Sequence, residues 1–389
     1  MKLFHSLNPV ALSVGLGLGT LGLAMASGCA SSSSPAAAGD SGPAPSGGDA
    51  GAGLVPPTSS GSKTTSTTAT NFALHTLQLG DTDRMGTTNA NAWAAYGFNL
   101  DGKATTTTST DVCTLQTGAP MSVQIDGNGL TAGGCVSESD CEGVDNSFGE
   151  NILPLVLTVA GSNLDSTLNT SINSGAFTVM LDIVGLTDSP TQTNTGITGQ
   201  LFAGAKFAGM PTWTTADNWP VVGGALLKGG TVASGSTIQF PDSYVVNGTW
   251  VSGAPIATLT LSLSIGGEML QLNVHQATLT FDHTMPGHAA NGTIAGVITT
   301  SELVSSLMAI AGHISTSLCN GGTFQSIAQQ IEQASDIMSD GSNGPGKECD
   351  AISIGLGFTA DQIAVPTTVA AATPPQPNPC NPADAGATD

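Results

Sequence analysis

Residues 256–274, IATLTLSLSIGGEMLQLNV, alternate apolar and polar side chains on both sides of a glycine pair. Alternation with a period of two is typical of a strand with one buried face. The pair Gly266-Gly267 suits a two-residue hairpin turn, because glycine tolerates the positive φ angles of such turns. Folding about this turn places three apolar pairs on one face: Leu263 with Leu270, Leu261 with Leu272, and Leu259 with Val274. The pattern therefore predicts a hairpin with a defined register.

Other short runs along the chain show the same strand pattern. In the clearest of them, Phe177, Val179, Leu181 and Ile183 alternate with other positions. Further runs lie at residues 197–207, 221–228, 231–240, 244–251 and 292–298. Many short strands separated by Gly, Pro and Asn turns favour an all-β architecture. The sequence therefore predicts a mainly β fold, an antiparallel β-sandwich resembling a jelly roll.

The period of the pattern changes near the carboxyl end. Thr299 and Glu302 have the spacing of a capping box, and apolar residues then recur every three or four positions up to Ile314. A second stretch with helical spacing runs from Phe324 to Met338. We therefore expect a small C-terminal helical pair near residues 300–340, followed by a strand at residues 352–358.

The amino-terminal residues have the composition of an export signal. Lys2 precedes an apolar, glycine-rich stretch that ends in small residues before position 29. This arrangement is typical of a secretory signal peptide, and the stretch is shorter than the roughly 20 apolar residues of a membrane span. Four segments are predicted: a signal peptide at 1–28, a tether rich in Ser, Pro, Ala and Gly at 29–66, a disulfide-linked β-rich ectodomain at 67–366, and a disordered tail at 367–389.

Ala26-Ser27-Gly28-Cys29 resembles the lipobox of bacterial lipoproteins. In that family the signal peptide is cut before the cysteine, whose sulfur and amine are acylated, so the resemblance implies a lipid anchor at Cys29. Several acyl chains on one residue hold a protein stably at a membrane. The family sorts to the outer membrane when no Asp follows the cysteine. Ala30 therefore implies the outer membrane of a Gram-negative cell, on its periplasmic or cell-surface side.

Two further segments are similar to parts of uncharacterised secreted lipoproteins of bacteria. They are residues 143–151, GVDNSFGEN, and residues 349–358, CDAISIGLGF. This resemblance implies a lipoprotein ectodomain and brings no activity with it.

Six cysteines lie beyond Cys29: Cys113, Cys135, Cys141, Cys319, Cys349 and Cys380. An even number in an exported chain favours disulfides over metal ligation, and no C-x-x-C spacing occurs. Cys319 and Cys349 bracket the second predicted helix. A bond that closes this loop of about 30 residues would stabilise the fold by roughly 3 to 4 kcal/mol. We therefore expect Cys319 to pair with Cys349, and the pairing of the other four remains open.

The 389 residues include 28 acidic and 7 basic side chains, which give a formal net charge of −21. Such a chain repels nucleic-acid phosphates, so nucleic acid is not an expected partner. Part of the negative charge concentrates in one acidic region, where hard oxygen ligands suit Ca²⁺. The candidate calcium ligands are Asp126, Asp140, Glu142, Asp145 and Glu150. A solvated loop pinned by a disulfide is the alternative interpretation.

Trp213 and Trp219 flank a polar segment and are candidate ligand contacts, because exposed aromatic faces stack on sugar rings. The alternative is that both belong to the core. His275, His283 and His288 are residues of the type that binds copper or zinc. We expect these histidines to be exposed and unrelated, since His275 lies on the polar face of its strand and the other two flank a turn.

Catalytic motifs are scarce: the chain has no nucleophile elbow, H-E-x-x-H, phosphate loop or dinucleotide fingerprint. The leading hypothesis is a lipid-anchored envelope or cell-surface protein with a binding or structural role. Its expected partners are the membrane, through the anchor, and a glycan or envelope polymer. The alternative is a secreted glycan-directed hydrolase using paired carboxylates, which sequence spacing does not reveal. An enzyme is therefore the less favoured class.

Overall fold

A computed structural model describes residues 55–126, 143–160, 164–265, 268–319, 321–371 and 380. All of the described residues belong to one compact unit. The strands are β1 (Ser62–Lys63), β2 (Ala69–Gln78), β3 (Thr178–Val184), β4 (Asn194–Gly204), β5 (Val221–Val222), β6 (Ile238–Val246), β7 (Thr249–Val251), β8 (Ile256–Ile265), β9 (Glu268–Met285), β10 (His288–Thr299), β11 (Ala351–Gln362) and β12 (Val369–Ala370). The helices are α1 (Leu153–Ala160), α2 (Leu164–Asn173), α3 (Thr300–Ile314) and α4 (Gly321–Glu332).

Eight strands form a closed antiparallel β-barrel. Their order around the ring is β4, β3, β2, β11, β10, β9, β7 and β6, and β6 pairs again with β4. The predicted sandwich is therefore wrong, although the mainly β class is right. A sandwich and a barrel both bury one face of each strand, so the alternation in the sequence is the same for both. The pairing of Leu201 with Ile238 is part of the contact that closes the ring.

The predicted hairpin is present as β8 and β9. Leu263 pairs with Leu270, Leu261 with Leu272 and Leu259 with Val274, which confirms the predicted register. The turn residues 266 and 267 lie outside the described residues. Because β9 is 18 residues long, its first half pairs with β8 and its second half with β7. The hairpin therefore continues the barrel wall beyond the ring.

Aromatic side chains fill the barrel interior. The ring centroids of Phe72 on β2 and Phe281 on β9 are 5.6 Å apart, although two strands separate β2 from β9 in the ring. Trp250 stacks on Phe281 at 5.0 Å and meets the edge of Phe240 at 5.6 Å. All four side chains are buried. These contacts across the interior make the barrel a packed core.

Helices α1, α2 and α3 pack on the apolar face of the hairpin. Leu153, Leu164 and Leu303, one from each helix, line a cavity of about 20 Å³ together with hairpin leucines such as Leu263 and Leu272. A cavity of this size has room for about one water molecule. The helices and the hairpin therefore form one apolar layer that is continuous with the barrel core.

The predicted C-terminal helical pair is present as α3 and α4. The Thr299 side chain accepts a hydrogen bond from the Glu302 N–H at the start of α3, as the capping-box spacing predicts. Sequence reasoning missed α1 and α2. None of the helices in the described ranges has the length and apolar character needed to cross a membrane.

Two disulfides join distant parts of the described chain. Cys113 pairs with Cys349 and Cys319 pairs with Cys380, with Cα–Cα distances of 5.2 and 4.8 Å. The predicted bond between Cys319 and Cys349 is therefore wrong. The loop residue Cys113 packs beside Cys349 just before β11, and this long-range contact decides the pairing rather than the helix between Cys319 and Cys349. Cys135 and Cys141 lie outside the described residues.

Candidate functional site

A β-bulge redirects the side chain of His75. Leu74 pairs with Ala360 and Thr76 pairs with Thr359, so His75 is the extra residue on β2 with no partner on β11. Bulges change the direction of a side chain and are frequent beside functional sites. His75 projects from the barrel wall and its side chain is 33% exposed.

Trp213 reaches the same place from the loop after β4. Its ring stacks on the His75 ring, with centroids 4.2 Å apart and planes 13° from parallel. The backbone of Trp213 has a φ of 56°, a left-handed conformation that is strained for a bulky side chain. The buried carboxylate of Asp217 holds this conformation, because it accepts hydrogen bonds from the Trp213 and Thr212 N–H groups at 2.6 and 2.7 Å.

Asp361 lies between two histidines. His75 Nδ1 and His288 Nδ1 each donate to one carboxylate oxygen of Asp361 at 2.5 Å. Strand pairing produces this arrangement, because Asp361 is directly opposite His288 on β10 and Ala73 on β2. Burial raises the pKa of Asp361, but the hydrogen bonds from the two histidines outweigh that effect and hold the pKa below its usual value. The carboxylate is therefore ionised at neutral pH.

Asn173 completes the group that we call the His–Asp cluster: His75, Asn173, Trp213, His288 and Asp361. The Nδ2 of Asn173 donates to the Asn169 carbonyl at 2.7 Å, so its Oδ1 faces His75 Nε2 at 3.0 Å. Both ring nitrogens of His75 are thus in hydrogen-bond contact with a side-chain oxygen, Nδ1 with Asp361 and Nε2 with Asn173. The His288 side chain is 57% exposed, and its bond to Asp361 directs Nε2 away from the carboxylate.

Sequence reasoning missed most of this cluster. The sequence does not identify His75, Asn173 and Asp361 as candidates, because their positions in the chain differ by as much as 286 residues and only the fold brings them together. His288 is exposed, as predicted. It is nevertheless in contact with another of the predicted histidines, because His283 Nδ1 lies 2.8 Å from the carbonyl oxygen of His288. His283 is buried, so the prediction that it is exposed is wrong.

The remaining predicted histidine lies elsewhere. His275 contacts Glu302 through Nε2 at 2.6 Å and Thr258 through Nδ1 at 3.1 Å. No three His, Cys, Asp or Glu side chains converge to hold a metal ion within the described ranges.

The two predicted tryptophans have different environments. Trp219 is 0% exposed and packs against Phe207 and Trp213, with centroids 4.9 and 5.9 Å away. Its predicted role as a ligand contact is therefore wrong, because its ring belongs to an apolar cluster on the outer side of β3 and β4. Trp213 is partly buried, and one face of its ring is covered by the His75 ring.

Three of the five predicted calcium ligands are described, and all three belong to one group of acids, in which Asp126 and Asp145 are buried and Glu150 is half-buried. Asp126 and Asp145 are hydrogen-bonded to each other, and Glu150 lies in the same region. Asp140 and Glu142 lie outside the described residues. Calcium binding therefore remains a prediction.

We call this group the acid layer: Asp101, Asp126, Asp145, Glu150 and Asp336. Backbone N–H groups of Thr105 and Leu100 donate to Asp126 and Asp145 at 2.5 and 2.6 Å. Burial raises the pKa of both carboxyls, and repulsion from Asp101 raises it further. Burial also raises the pKa of Asp336 to about 7 and that of Glu150 to about 7. At neutral pH the acid layer is therefore partly protonated, whereas exposed carboxylates are ionised.

Asn146 joins the two segments that resemble lipoprotein sequences. Its Nδ2 donates to the carbonyls of Trp93, Tyr96 and Gly355 at 2.9, 2.9 and 3.1 Å. Its Oδ1 accepts from the N–H groups of Gly149 and Gly355 at 3.0 and 2.9 Å. Residues 143–151 therefore dock on β11 through the side-chain amide of Asn146, whose nitrogen and oxygen both form hydrogen bonds.

The geometry defines a closed β-barrel with a His–Asp cluster on its outer surface. No family model, curated protein or solved structure matches the chain. Cys29 lies outside the described residues, so the lipid anchor remains a prediction.

Proposed function

We propose that the protein is a lipid-anchored envelope or cell-surface protein that binds a glycan or another envelope polymer through the His–Asp cluster. The lipobox-like residues 26–29 support the anchor and the outer-membrane location. The part of the predicted tether that precedes residue 55 would separate the barrel from the lipid surface.

The observation that carries the binding role is the meeting of two backbone irregularities at one point. The bulge at His75 and the left-handed conformation of Trp213 each aim a side chain at the cluster. A strained residue of this kind costs about 1 to 3 kcal/mol and is found most often at binding and catalytic sites. Neither His75 nor Trp213 is needed to fill the barrel interior, which Phe72, Trp250 and Phe281 occupy.

The groups in the cluster suit a neutral polyhydroxyl ligand. The ionised Asp361 carboxylate can accept hydrogen bonds from hydroxyl groups, and the exposed ring of His288 presents Nε2. The partly exposed Trp213 adds apolar contact. Polyanionic ligands are disfavoured, because the net charge of −21 repels them.

The test is a binding screen of the purified protein against neutral and charged polysaccharides, followed by the variants His288→Ala and Asp361→Asn. We expect binding to a neutral glycan and a loss of affinity of about 10-fold or more in each variant, the usual effect of removing a hydrogen bond that involves a charged group. His275→Ala is the matched control and should bind as the unchanged protein does. Equal affinity in all four proteins would reject the cluster as the binding site.

The same polysaccharides distinguish a binding protein from an enzyme. Reducing ends should not accumulate when the protein is incubated with a glycan that it binds. Their steady release would instead establish the glycan-directed hydrolase. If no polysaccharide binds, the binding role is rejected in favour of a structural role.

A further inference from the structure

Residues 58–68, TSSGSKTTSTT, hold nine Ser or Thr side chains in eleven positions. We call them the hydroxyl segment. Nearly every residue in it is exposed, and only Thr64 and Ser66 are partly covered. Pro56 and Pro57 precede the segment directly. Ser- and Thr-rich sequence with proline is the composition of O-glycosylated stalks.

The backbone of this segment is held in place on the barrel. Ser62 and Lys63 pair with Asn194 and Thr195 of β4. The Thr64 N–H donates to the Thr195 carbonyl at 2.8 Å, and the Gly185 N–H donates to the Thr68 carbonyl at 2.9 Å. The segment therefore lies along the surface of the barrel, with its side chains directed to solvent.

The hydroxyl groups of the segment differ from those in the body of the protein. Buried Thr178, Ser236 and Ser243 each donate a hydrogen bond to a backbone carbonyl. In the segment, Thr64 and Ser66 accept hydrogen bonds from nearby N–H groups. The other seven hydroxyls have no hydrogen-bond partner among the residues that the structure describes. These seven hydroxyl groups are accessible nucleophiles, and the backbone that carries them is held on the barrel.

We propose that the hydroxyl segment is a site of O-glycosylation. In this step a Ser or Thr oxygen forms a bond to the anomeric carbon of a sugar activated by a nucleotide or lipid phosphate. The bond from that carbon to the phosphate breaks, the phosphate leaves with the bonding electrons, and the hydroxyl proton passes to a base of the transferase. Attached sugars would keep the adjacent surface of the barrel hydrated. They would also protect the residues that precede the segment from proteases.

Modification of this segment goes beyond the proposed binding role and shares with it only the export of the chain. The sugar here is covalently attached to the segment, whereas the His–Asp cluster would bind a separate polymer. Failure of one proposal therefore leaves the other intact, because binding is measured with the glycan screen and modification with mass.

The experiment is intact-mass measurement of the full chain purified from the cells that make it naturally. We expect a mass above that of the lipidated polypeptide by whole numbers of sugar residues, and fragmentation spectra that place these sugars within residues 58–68. The added mass should fall sharply in a variant that combines Thr58→Ala, Ser59→Ala, Ser60→Ala, Thr65→Ala and Thr67→Ala.

The matched control combines Thr107→Ala, Ser166→Ala, Thr215→Ala and Ser301→Ala, which are exposed hydroxyls on the folded body. It should retain all of the added mass. Absence of sugar on the natural protein would overturn the proposal, as would sugars located only outside the segment. The fragmentation spectra of the unchanged protein decide the matter even if the alanine variant folds poorly.

Discussion

At Gly357 an added Cβ would lie 2.2 Å from Cε1 of Tyr96. The Tyr96 ring is fully buried, with the Arg84 guanidinium 4.9 Å from its centroid, so it has little freedom to move. Gly355, two residues earlier on the same face of β11, would place a Cβ 2.3 Å from the Tyr96 carbonyl oxygen. Both glycines therefore allow the turn around Tyr96 to lie directly on the barrel wall.

Gly357→Ala should destabilise the fold by about 1 to 3 kcal/mol, because overpacking forces buried groups to shift. Gly322→Ala is the control, since this helical glycine has no atom near its added Cβ and alanine favours a helix by about 1 kcal/mol. Denaturant unfolding of the two variants should give shifts of opposite sign. A stable Gly357→Ala protein would show that Tyr96 packs differently.

The polar residues of the His–Asp cluster illustrate what sequence reasoning does not see at this scale. Strand β2 was not among the predicted strands, and its local sequence does not indicate the bulge that turns His75 outward. The bulge depends on the opposing strand β11, which lies almost 300 residues away in the chain. Trp213 was recognised as a candidate because of its residue type, whereas its strained backbone depends on Asp217.

Among the elements, local patterns were the most informative. The hairpin β8–β9 was predicted with its register, because its turn, its alternation and its apolar face all lie within 19 consecutive residues. Helix α3 was predicted for the same reason, since Thr299 and Glu302 are neighbours on one turn. The acid layer is different, because Asp101, Asp145 and Asp336 come from separate segments of the chain that the fold brings close together.

The acid layer makes stability depend on pH. Burial raises the pKa of Asp336 and of Glu150 to about 7, and it raises that of Asp145 as well. The folded protein therefore binds protons more tightly than the unfolded chain does. The contribution of the acid layer to stability is greatest below the unfolded pKa of about 4 and is lost as the pH rises through the folded values. We expect the melting temperature to decrease between about pH 5 and pH 8.

Asp145→Asn replaces one of these titratable carboxyls with a neutral amide, whose oxygen can still accept the hydrogen bond from the Leu100 N–H. It should make the variant more stable than the unchanged protein at pH 8, by about 1 kcal/mol or more, and should flatten the dependence on pH. Asp242→Asn, at an exposed position, is the control and should follow the unchanged protein. If Asp145→Asn lowers the stability at pH 8 as much as at pH 5, the carboxyl is already ionised in the folded state.

The whole molecule combines covalent crosslinks with a closed barrel. Cys113 pairs with Cys349 at a separation of 236 residues, so this bond ties the region that carries the acid layer to the start of β11. The bond between Cys319 and Cys380 ties the end of the chain to the residues that follow α3. Both bonds are consistent with folding in the oxidising compartment that the proposed signal peptide implies.

Replacing Cys29 tests the anchor directly. Cys29→Ser should leave the precursor unprocessed by the lipoprotein pathway and move the protein out of the detergent phase, because the acyl chains of the proposed anchor would be absent. Ser31→Ala, two residues further on, should partition as the unchanged protein does. Equal partitioning of the Cys29→Ser protein would show that something other than lipid at this cysteine retains it in detergent.

The sequence by itself determined the mainly β class, the hairpin with its register and the C-terminal helices. Each depends on residues close together in the chain, where periodicity, turn chemistry and capping act locally. Only the tertiary structure decided that the sheet closes into a barrel, that Cys113 bonds Cys349 and that His75, Trp213, His288 and Asp361 form one cluster. These features depend on which distant strands pair, and alternation is the same whichever neighbour a strand has.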